Sequence, residues 1–248
     1  LSLLPVLRQC TGLGGKNLAW KNLSDFVAYL AQGVSRQRLE DRIQRHLINP
    51  LLVSKRVRRA WRAKGIGGLS SIILTPTVSC NLDCTLCYNK HHQDPQTTLP
   101  LATMDRVVGE GKALGAYRVS IIGGEPLLVW QDIYALAARH LDVVFTVMTN
   151  GTLCTAEIAS QLASLGNIEL SFSIDGLQKT NDPWRAAGSF EKVLQAMAMY
   201  RRQGGLVAYS PTVTAANYQE LLSDEFVELM IRQGAYLGYY HHYYMVGG

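Results

Sequence analysis

Residues 80–88 read CNLDCTLCY, and the three cysteines of this stretch, Cys80, Cys84 and Cys87, have the spacing C-x3-C-x2-C. This spacing brings three thiolates together on one short loop. A closed structural zinc site takes four ligands, and a fully protein-ligated cubane iron–sulfur cluster takes four cysteines. Three thiolates therefore predict a metal centre with one position open to an outside ligand. Thiolates suit iron–sulfur clusters, zinc and Cu(I), so the spacing alone does not identify the metal.

The cysteine loop follows a predicted strand. Residues 70–79, SSIILTPTVS, are apolar and β-branched, which is typical of a buried strand. The cysteines therefore leave the carboxyl end of a strand, where α/β folds place their functional sites. A second apolar run, residues 117–122, ends in the turn GGEP at residues 123–126.

These two motifs, in this order, resemble those of the radical S-adenosylmethionine enzymes. An aromatic residue, Tyr88, directly follows the third cysteine, and GGEP follows the next strand. Each motif alone is weak, but on consecutive strand ends they are specific. The resemblance implies that the three cysteines bind a [4Fe–4S] cluster whose open iron is chelated by S-adenosylmethionine. It also implies the family's chemistry: reductive cleavage of S-adenosylmethionine to a 5′-deoxyadenosyl radical, which abstracts hydrogen from a substrate.

From residue 72 onward, predicted strands and helices alternate. The predicted strands are residues 72–78, 117–122, 143–149, 168–174, 206–213 and 235–240, and the predicted helices are residues 101–114, 129–139, 156–165, 189–202 and 218–232. Six β/α units in series predict an α/β fold with a parallel sheet and right-handed crossovers. The resemblance implies that this sheet forms a partial (β/α)6 TIM-like barrel.

The net charge is unevenly distributed. Residues 1–68 contain 13 Lys and Arg against 3 Asp and Glu, a net charge of +10, whereas residues 69–248 contain 11 against 16, a net charge of −5. This change predicts a basic, mainly helical N-terminal segment over residues 1–68 and the barrel over residues 69–248. Within the first part, residues 51–64 (LLVSKRVRRAWRAK) predict a basic amphipathic helix. Three interpretations stay open: packing on the barrel, contact with an anionic membrane surface, and nucleic acid binding, the last being the weakest.

Several candidate residues follow from the resemblance. Gly123, Gly124 and Glu125 would bind the amino group of the methionine part, and Tyr88 would pack near the adenine. The alternatives are an ordinary strand-to-helix turn with a helix-capping carboxylate and an aromatic side chain that closes the barrel mouth.

Polar residues also end the third and fourth predicted strands. Asn150 ends the third, and Ser171, Ser173 and Asp175 alternate along the fourth, so these three share one face. Inward polar groups are costly without partners, and a bound ribose and carboxylate would supply them. Asn150 and Ser173 are the main cofactor-binding candidates, whereas Asp175 has the alternative role of capping the following turn.

The stretch from Ser173 to Met197 resembles a narrower group, the radical S-adenosylmethionine enzymes with a SPASM or twitch extension, notably peptide and protein maturases. This resemblance implies that Arg185 pairs with the carboxylate of the cofactor, for which a guanidinium is suited; a surface arginine is the alternative. Those relatives continue into a cysteine-rich extension with auxiliary clusters, and this sequence has no cysteine after Cys154. The sequence is either a fragment or that of a protein with one cluster.

The final stretch, residues 235–248, crowds His241, His242 and five tyrosines together. These side chains could quench a substrate radical or shape a substrate pocket, or they could pack at the rim of the barrel.

Together these observations predict a radical S-adenosylmethionine enzyme with an unidentified substrate. The SPASM-like stretch favours a peptide or protein side chain, and the basic helix favours a lipid or isoprenoid. The expected partner is a small one-electron reductant of flavodoxin or ferredoxin type. Five cysteines without a disulfide framework and the absence of a convincing signal peptide predict a cytoplasmic location, with membrane association through residues 51–64 left open. The competing hypothesis is a non-enzymatic iron–sulfur protein for electron transfer or sensing, or a structural zinc protein, in which GGEP has no role.

Overall fold

The structure is a computed structural model that describes residues 49–91 and 98–243. The strands within these residues are β1 Ser71–Leu74, β2 Arg118–Ile121, β3 Val144–Thr149, β4 Ile168–Phe172, β5 Leu206–Tyr209, β6 Thr212–Val213, β7 Ala235–Gly238 and β8 His241–His242. The α-helices are α1 Asn49–Arg62, α2 Leu101–Ala113, α3 Trp130–Arg139, α4 Ala156–Ser164, α5 Gln178–Trp184, α6 Ser189–Arg202, α7 Tyr218–Leu221 and α8 Asp224–Arg232. Two short 3-10 helices span Tyr88–His91 and Pro126–Val129.

Six of the strands form one parallel sheet in the order β1-β2-β3-β4-β5-β7. Successive β/α units add strands on the same side, so the order in the sheet follows the order in the chain. This arrangement confirms the predicted α/β fold with six parallel strands. It also places all the strand ends that carry polar motifs at one edge of the sheet.

The sheet is curved, which is shown by contacts between side chains from strands that are far apart in the sheet order. The Tyr239 hydroxyl, one residue beyond β7, donates to Glu169 Oε1 on β4 at 2.8 Å. The same hydroxyl lies 2.5 Å from Arg118 Nη1 on β2. In a flat sheet β2 and β7 would be separated by three strands, so these contacts cross the inside of a partial barrel.

The hydrophobic core lies between the sheet and its helices. Along β4, Leu170 and Phe172 face this layer and are fully buried. The Phe172 ring packs edge-on against Tyr200 of α6, with 6.5 Å between centroids. The alternate residues, Glu169 and Ser171, therefore face the inside of the barrel.

Several predicted strands are shorter in the structure, and prolines account for two of the differences. Strand β1 ends at Leu74, two residues before Pro76, which has no N–H to donate to a neighbouring strand. The predicted strand 206–213 is divided into β5 and β6 around Pro211, and its partner is divided into β7 and β8. The two segments nevertheless stay paired between their strands, since His241 N donates to Pro211 O at 3.0 Å.

Two helices differ from the prediction. The predicted helix 218–232 is two helices, α7 and α8, because Ser223 caps the second one by accepting the Phe226 N–H. Helix α5 was not predicted, and it contains Pro183.

The basic amphipathic helix predicted over residues 51–64 is α1, which packs on the barrel. It begins at Asn49-Pro50, a position that suits proline, because proline in a first turn loses no helical hydrogen bond. Trp61 Nε1 donates to Ala113 O at 2.8 Å, and the Arg58 guanidinium lies 5.8 Å from the centroid of the Tyr117 ring. These contacts favour the packing interpretation; membrane contact stays a prediction.

Other expectations about the chain ends lie outside the described residues. Residues 1–48 of the basic segment and residues 244–248 of the tyrosine-rich tail belong to this group. Among the helices of residues 49–91 and 98–243, none has the length and apolar character to cross a membrane.

Candidate functional site

The cysteine loop leaves the carboxyl end of β1 and is tied to the far side of the barrel. Cys80 is exposed, and Cys84 and Cys87 are partly buried. The Thr85 N–H donates to Trp184 O at the end of α5, at 2.8 Å. Burial raises the pKa of the Cys80 and Cys84 thiols, and the nearby Arg185 charge opposes this rise at Cys84.

The two glycines of the GGEP turn are required because the neighbouring backbone leaves no room for a side chain at either position. Gly124 N donates to Thr77 O at 3.0 Å, and Glu125 N donates to Ser79 O at 2.8 Å, so the turn runs directly beside the start of the cysteine loop. A Cβ added to Gly124 would overlap the Ser79 carbonyl oxygen, and one added to Gly123, which has φ +128°, would overlap the Thr77 carbonyl oxygen. The glycines therefore let the two strand ends approach each other.

Glu125 is buried inside the turn, with only 1% of its surface exposed. Its Oε1 accepts from Leu127 N at 2.9 Å and from the Thr149 hydroxyl at 2.7 Å, and its Oε2 accepts from Asn150 N at 2.8 Å. Burial raises the pKa of Glu125, against the opposing effect of these donors. The carboxylate thus joins the turn to β3, as in the helix-capping alternative, and its predicted contact with the cofactor's amino group stays a prediction.

Asn150 lies at the end of β3, next to the cysteine loop. Its Nδ2 donates to Asn81 Oδ1 at 2.9 Å and lies 4.0 Å from Cys80 Sγ. Its Oδ1 accepts from the Thr152 backbone N–H at 2.9 Å and from the Thr152 hydroxyl at 2.7 Å. The structure therefore brings this predicted site residue to the cysteines, through contacts with protein groups.

Arg185 stands beside a carboxylate of the protein. Its Nε lies 2.7 Å from Asp175 Oδ2, although the N–H is not aligned for a hydrogen bond, and both side chains are largely buried. Asp175 Oδ1 accepts from Thr212 N at 2.7 Å, so this carboxylate also holds β6. Ser173 lies partly buried between β4 and Asp175. The cofactor contacts predicted for Arg185 and Ser173 stay predictions.

Tyr88 is half exposed and contacts the GGEP turn. Its hydroxyl donates to Gly123 O at 3.4 Å, and burial of the ring raises the pKa of its hydroxyl. The ring thus lies next to the residues predicted to bind S-adenosylmethionine, while its contact with adenine stays a prediction.

The sequence did not predict a polar cluster inside the barrel, which we call the interior cluster. Glu169 is fully buried and accepts from the Tyr236 and Tyr239 hydroxyls. Arg118 donates to Tyr239 and, at 3.3 Å, to Thr146 Oγ1. Burial and the Glu169 charge raise the pKa of both tyrosines. The signal in the sequence that could have indicated this cluster was a charged residue within each of two otherwise apolar strands, Arg118 in β2 and Glu169 in β4.

A second unpredicted residue is Asp182, which caps helix α6 from a distance. It accepts from Phe190 N at 2.8 Å, from Gly188 N at 2.9 Å and from the Ser189 hydroxyl at 3.2 Å. Burial raises the pKa of Asp182, but these donors outweigh it and leave the pKa below its usual value. Its signal was an acidic residue shortly before Gly188-Ser189, a typical helix start.

The aromatic residues of the last strand pair are divided between two places. Tyr236 and Tyr239 belong to the interior cluster, whereas the Tyr240 hydroxyl lies 2.9 Å from that of Tyr209 and donates to Leu221 O. His241 and His242 form the exposed strand β8. Rim packing, one of the two alternatives for this stretch, describes Tyr240; a role in quenching a radical stays a prediction.

The donor set fits a thiolate-bound iron–sulfur cluster. Three thiols lie on one anchored loop, and a side-chain amide approaches one of them, as is usual around such clusters. Within residues 49–91 and 98–243, no three His, Cys, Asp or Glu side chains lie close enough to hold a single metal ion. A four-iron cluster is larger, and each thiolate binds a different iron atom.

Known proteins match this chain over the same region. The model of the radical SAM superfamily matches residues 74–230. The mycofactocin maturase MftC of Mycolicibacterium smegmatis is 31% identical over 166 residues, which are 65% of this chain and 41% of the maturase. The pre-heme d1 synthase of Dinoroseobacter shibae is 33% identical over 156 residues, 60% of this chain and 38% of the synthase.

The fold also has relatives among solved structures. Streptococcus suis SuiB bound to S-adenosylmethionine superimposes with a TM-score of 0.66 at 21% identity, over 77% of this chain and 45% of SuiB. The chain thus spans less than half the length of each of these three relatives. The region matched by the family model, residues 74–230, includes strands β2 to β6 and the loop that carries the three cysteines.

Proposed function

Because the chain belongs to the radical SAM superfamily, we propose that the whole protein is an enzyme that cleaves S-adenosylmethionine reductively and abstracts hydrogen from a substrate. The family uses a [4Fe–4S] cluster and S-adenosylmethionine, the cofactors that the sequence predicted. When bound, they supply a 5′-deoxyadenosyl radical. The observation that carries the proposal is the loop of Cys80, Cys84 and Cys87 at the carboxyl end of β1, inside the matched region.

The described residues divide the work of binding. The three thiols would hold the cluster, and the backbone of Gly123 and Gly124 would approach the amino group of S-adenosylmethionine beside the Glu125 carboxylate, which already accepts from three protein donors. If the carboxylate of S-adenosylmethionine paired with Arg185, as predicted, it would share the Arg185 guanidinium with Asp175. The parallel strands hold these groups on rigid ends, which keeps the reacting atoms positioned.

We propose a peptide side chain as the substrate. In support, one relative is named a maturase, and SuiB has been solved bound to the precursor peptide SuiA. The resemblance of residues 173–197 to peptide and protein maturases points the same way. A tetrapyrrole is the second candidate, because the pre-heme d1 synthase matches this chain at 33% identity.

The activity is tested anaerobically on the full chain. Iron and sulfide are reconstituted, dithionite and S-adenosylmethionine are added, and 5′-deoxyadenosine is quantified by chromatography. We expect product from the wild type and none from Cys80→Ala. The matched control is Cys154→Ala, which removes a thiol whose pKa burial raises to about 12 and which lies outside the loop. A cluster that forms without yielding 5′-deoxyadenosine, and without an EPR change when S-adenosylmethionine is added, would instead indicate electron transfer or sensing.

The substrate class is tested by following the abstracted hydrogen. A mixture of peptides deuterated at carbon is supplied in one reaction, and a deuterated iron coproporphyrin in another. Deuterium in 5′-deoxyadenosine from the peptide reaction supports the proposal, and deuterium from the porphyrin reaction alone contradicts it in favour of the second candidate.

A further inference from the structure

Three side chains beside Cys80 form a closed ring of hydrogen bonds. Asn81 Nδ2 donates to Thr152 Oγ1 at 2.8 Å, Thr152 Oγ1 donates to Asn150 Oδ1 at 2.7 Å, and Asn150 Nδ2 donates to Asn81 Oδ1 at 2.9 Å. Within the ring, each of the three side chains donates once and accepts once, and Asn150 Nδ2 has a second N–H to offer. We call these three residues the amide ring.

The ring fixes which end of the Asn150 amide faces the cysteine. Its Oδ1 must face Thr152, because the Thr152 backbone N–H donates to it at 2.9 Å. Its Nδ2 must therefore face Asn81 and Cys80 Sγ, which lies 4.0 Å away. Asn150 is only 7% exposed, and its own backbone N–H is held by Glu125. A rigidly oriented N–H thus points at the sulfur of a proposed cluster ligand.

We propose that Asn150, oriented by Asn81 and Thr152, is a positioning residue that holds Cys80 for the cluster and raises the cluster's reduction potential. An N–H that points at a thiolate stabilises the more negative, reduced cluster, so hydrogen bonds to the sulfurs tune the potential. The ring also joins the cysteine loop to the end of β3, which limits the motion of Cys80. This inference rests on the proposed function, because it takes Cys80 as a cluster ligand.

The chemistry at position 150 distinguishes this role from simple packing. An aspartate has nearly the same shape and could still accept from Thr152, but it has no N–H and would place a negative charge beside the thiolate. Asn150→Asp therefore changes the electrostatics at Cys80 with little change in volume. Thr152→Val is the matched variant, since it opens the ring and leaves the Asn150 amide beside the sulfur.

The test measures the cluster rather than turnover. The full-length wild type and the variants are reconstituted anaerobically, and the reduction potential is measured by EPR-monitored titration. Iron release to a chelator is followed in parallel. For Asn150→Asp we expect a more negative potential and an affinity for the cluster lowered by about 10–100-fold, the usual effect of losing a partner of a metal ligand. For Thr152→Val we expect faster iron release than in the wild type, with a smaller change in potential.

The outcomes separate this inference from the proposed function. A wild type that binds no four-iron cluster overturns both. A wild type that binds the cluster and yields 5′-deoxyadenosine, with Asn150→Asp equal to it in potential and iron release, overturns only the inference. If Asn150→Asp does not fold, Asn81→Ala replaces it, because Asn81 lies on the exposed part of the loop. Faster iron release from Asn81→Ala at an unchanged unfolding midpoint supports the inference, and unchanged iron release contradicts it.

Discussion

The mouth of the barrel and the interior cluster are both polar, but they are held together by different groups. At the mouth, backbone hydrogen bonds join the GGEP turn to the start of the cysteine loop, and the neutral amides of Asn81 and Asn150 join that loop to the end of β3. In the interior cluster, side chains from three strands and the end of β7 meet around the buried carboxylate of Glu169. We therefore expect the free energy of unfolding to fall most when side-chain volume is added at the mouth and when charge is removed from the interior cluster.

The largest effect is expected from added volume at the mouth. Gly124→Ala places a Cβ on the Ser79 carbonyl oxygen and should lower the free energy of unfolding by about 3 kcal/mol or more. Urea unfolding measures this. The matched control is Gly109→Ala, on the exposed side of α2 with no atom within 4 Å of the new Cβ, which should be stabilised by about 0.5–1 kcal/mol. Equal stability of the two variants would remove the basis of the comparison.

The next effect is expected from lost charge inside the barrel. Glu169→Gln keeps the size of the side chain but weakens two hydrogen bonds from tyrosine and removes a negative charge near Arg118. We expect a loss of about 2–3 kcal/mol in the free energy of unfolding, as for hydrogen bonds to a buried charged group. Glu110→Gln, an exposed change on α2, should stay within about 0.5 kcal/mol of the wild type. If both variants unfold at the same urea concentration, charge does not hold this cluster.

A smaller effect on stability is expected at Asp182, whose carboxylate accepts hydrogen bonds from backbone N–H groups at the start of α6. Asp182→Ala removes the cap of α6 and should cost about 1–2 kcal/mol. Since the pKa of Asp182 is lowered by folding, its contribution is present above the unfolded value, about 3.9, and is lost as the pH falls through the folded value. Thermal unfolding at pH 7 and at decreasing pH should show the wild type approaching the variant. A difference that does not depend on pH would mean that shape, and not charge, provides the cap.

The smallest effect is expected at the rim of the mouth. Tyr88→Phe removes one long hydrogen bond, to Gly123 O, from a half-exposed side chain. The free energy of unfolding should change by less than about 0.5 kcal/mol. A larger loss in a urea titration would show that the mouth depends on side chains after all.

The regular elements of the fold could be predicted from the sequence, whereas the irregular segments could not. Helix α6 has the predicted bounds, Ser189–Arg202, and the central strand β3 differs by one residue, because their apolar patterns are long and regular. Strand ends near Pro76 and Pro211 were wrong, since pairing there depends on single backbone bonds. Helix α5 was missed because Pro183 lies inside it and no side chain caps its start.

The candidate site was predicted in its location more than in its contacts. The pattern placed the cysteines, GGEP and Asn150 at neighbouring strand ends, and the structure brings them together. It did not reveal that Glu125 is occupied by protein donors, that Arg185 stands beside Asp175, or that Glu169 has partners on β2 and near β7. Such pairings join residues far apart in the chain, and the local pattern carries no information about them.

The anchors of the cysteine loop have a consequence for biosynthesis. Cys80 precedes Asn150 by 70 positions in the chain, and Trp184, the anchor of Thr85, comes later still. At a synthesis rate of about 5–20 residues per second, the thiols leave the ribosome roughly 4 to 14 seconds before Asn150 does. The segment around Asp182 closes within nine residues and should fold as soon as it emerges, since local contacts form fast. We therefore expect the cysteine loop to dock only after Trp184 has been made, so that delivery of iron and sulfide follows translation of the first four strands.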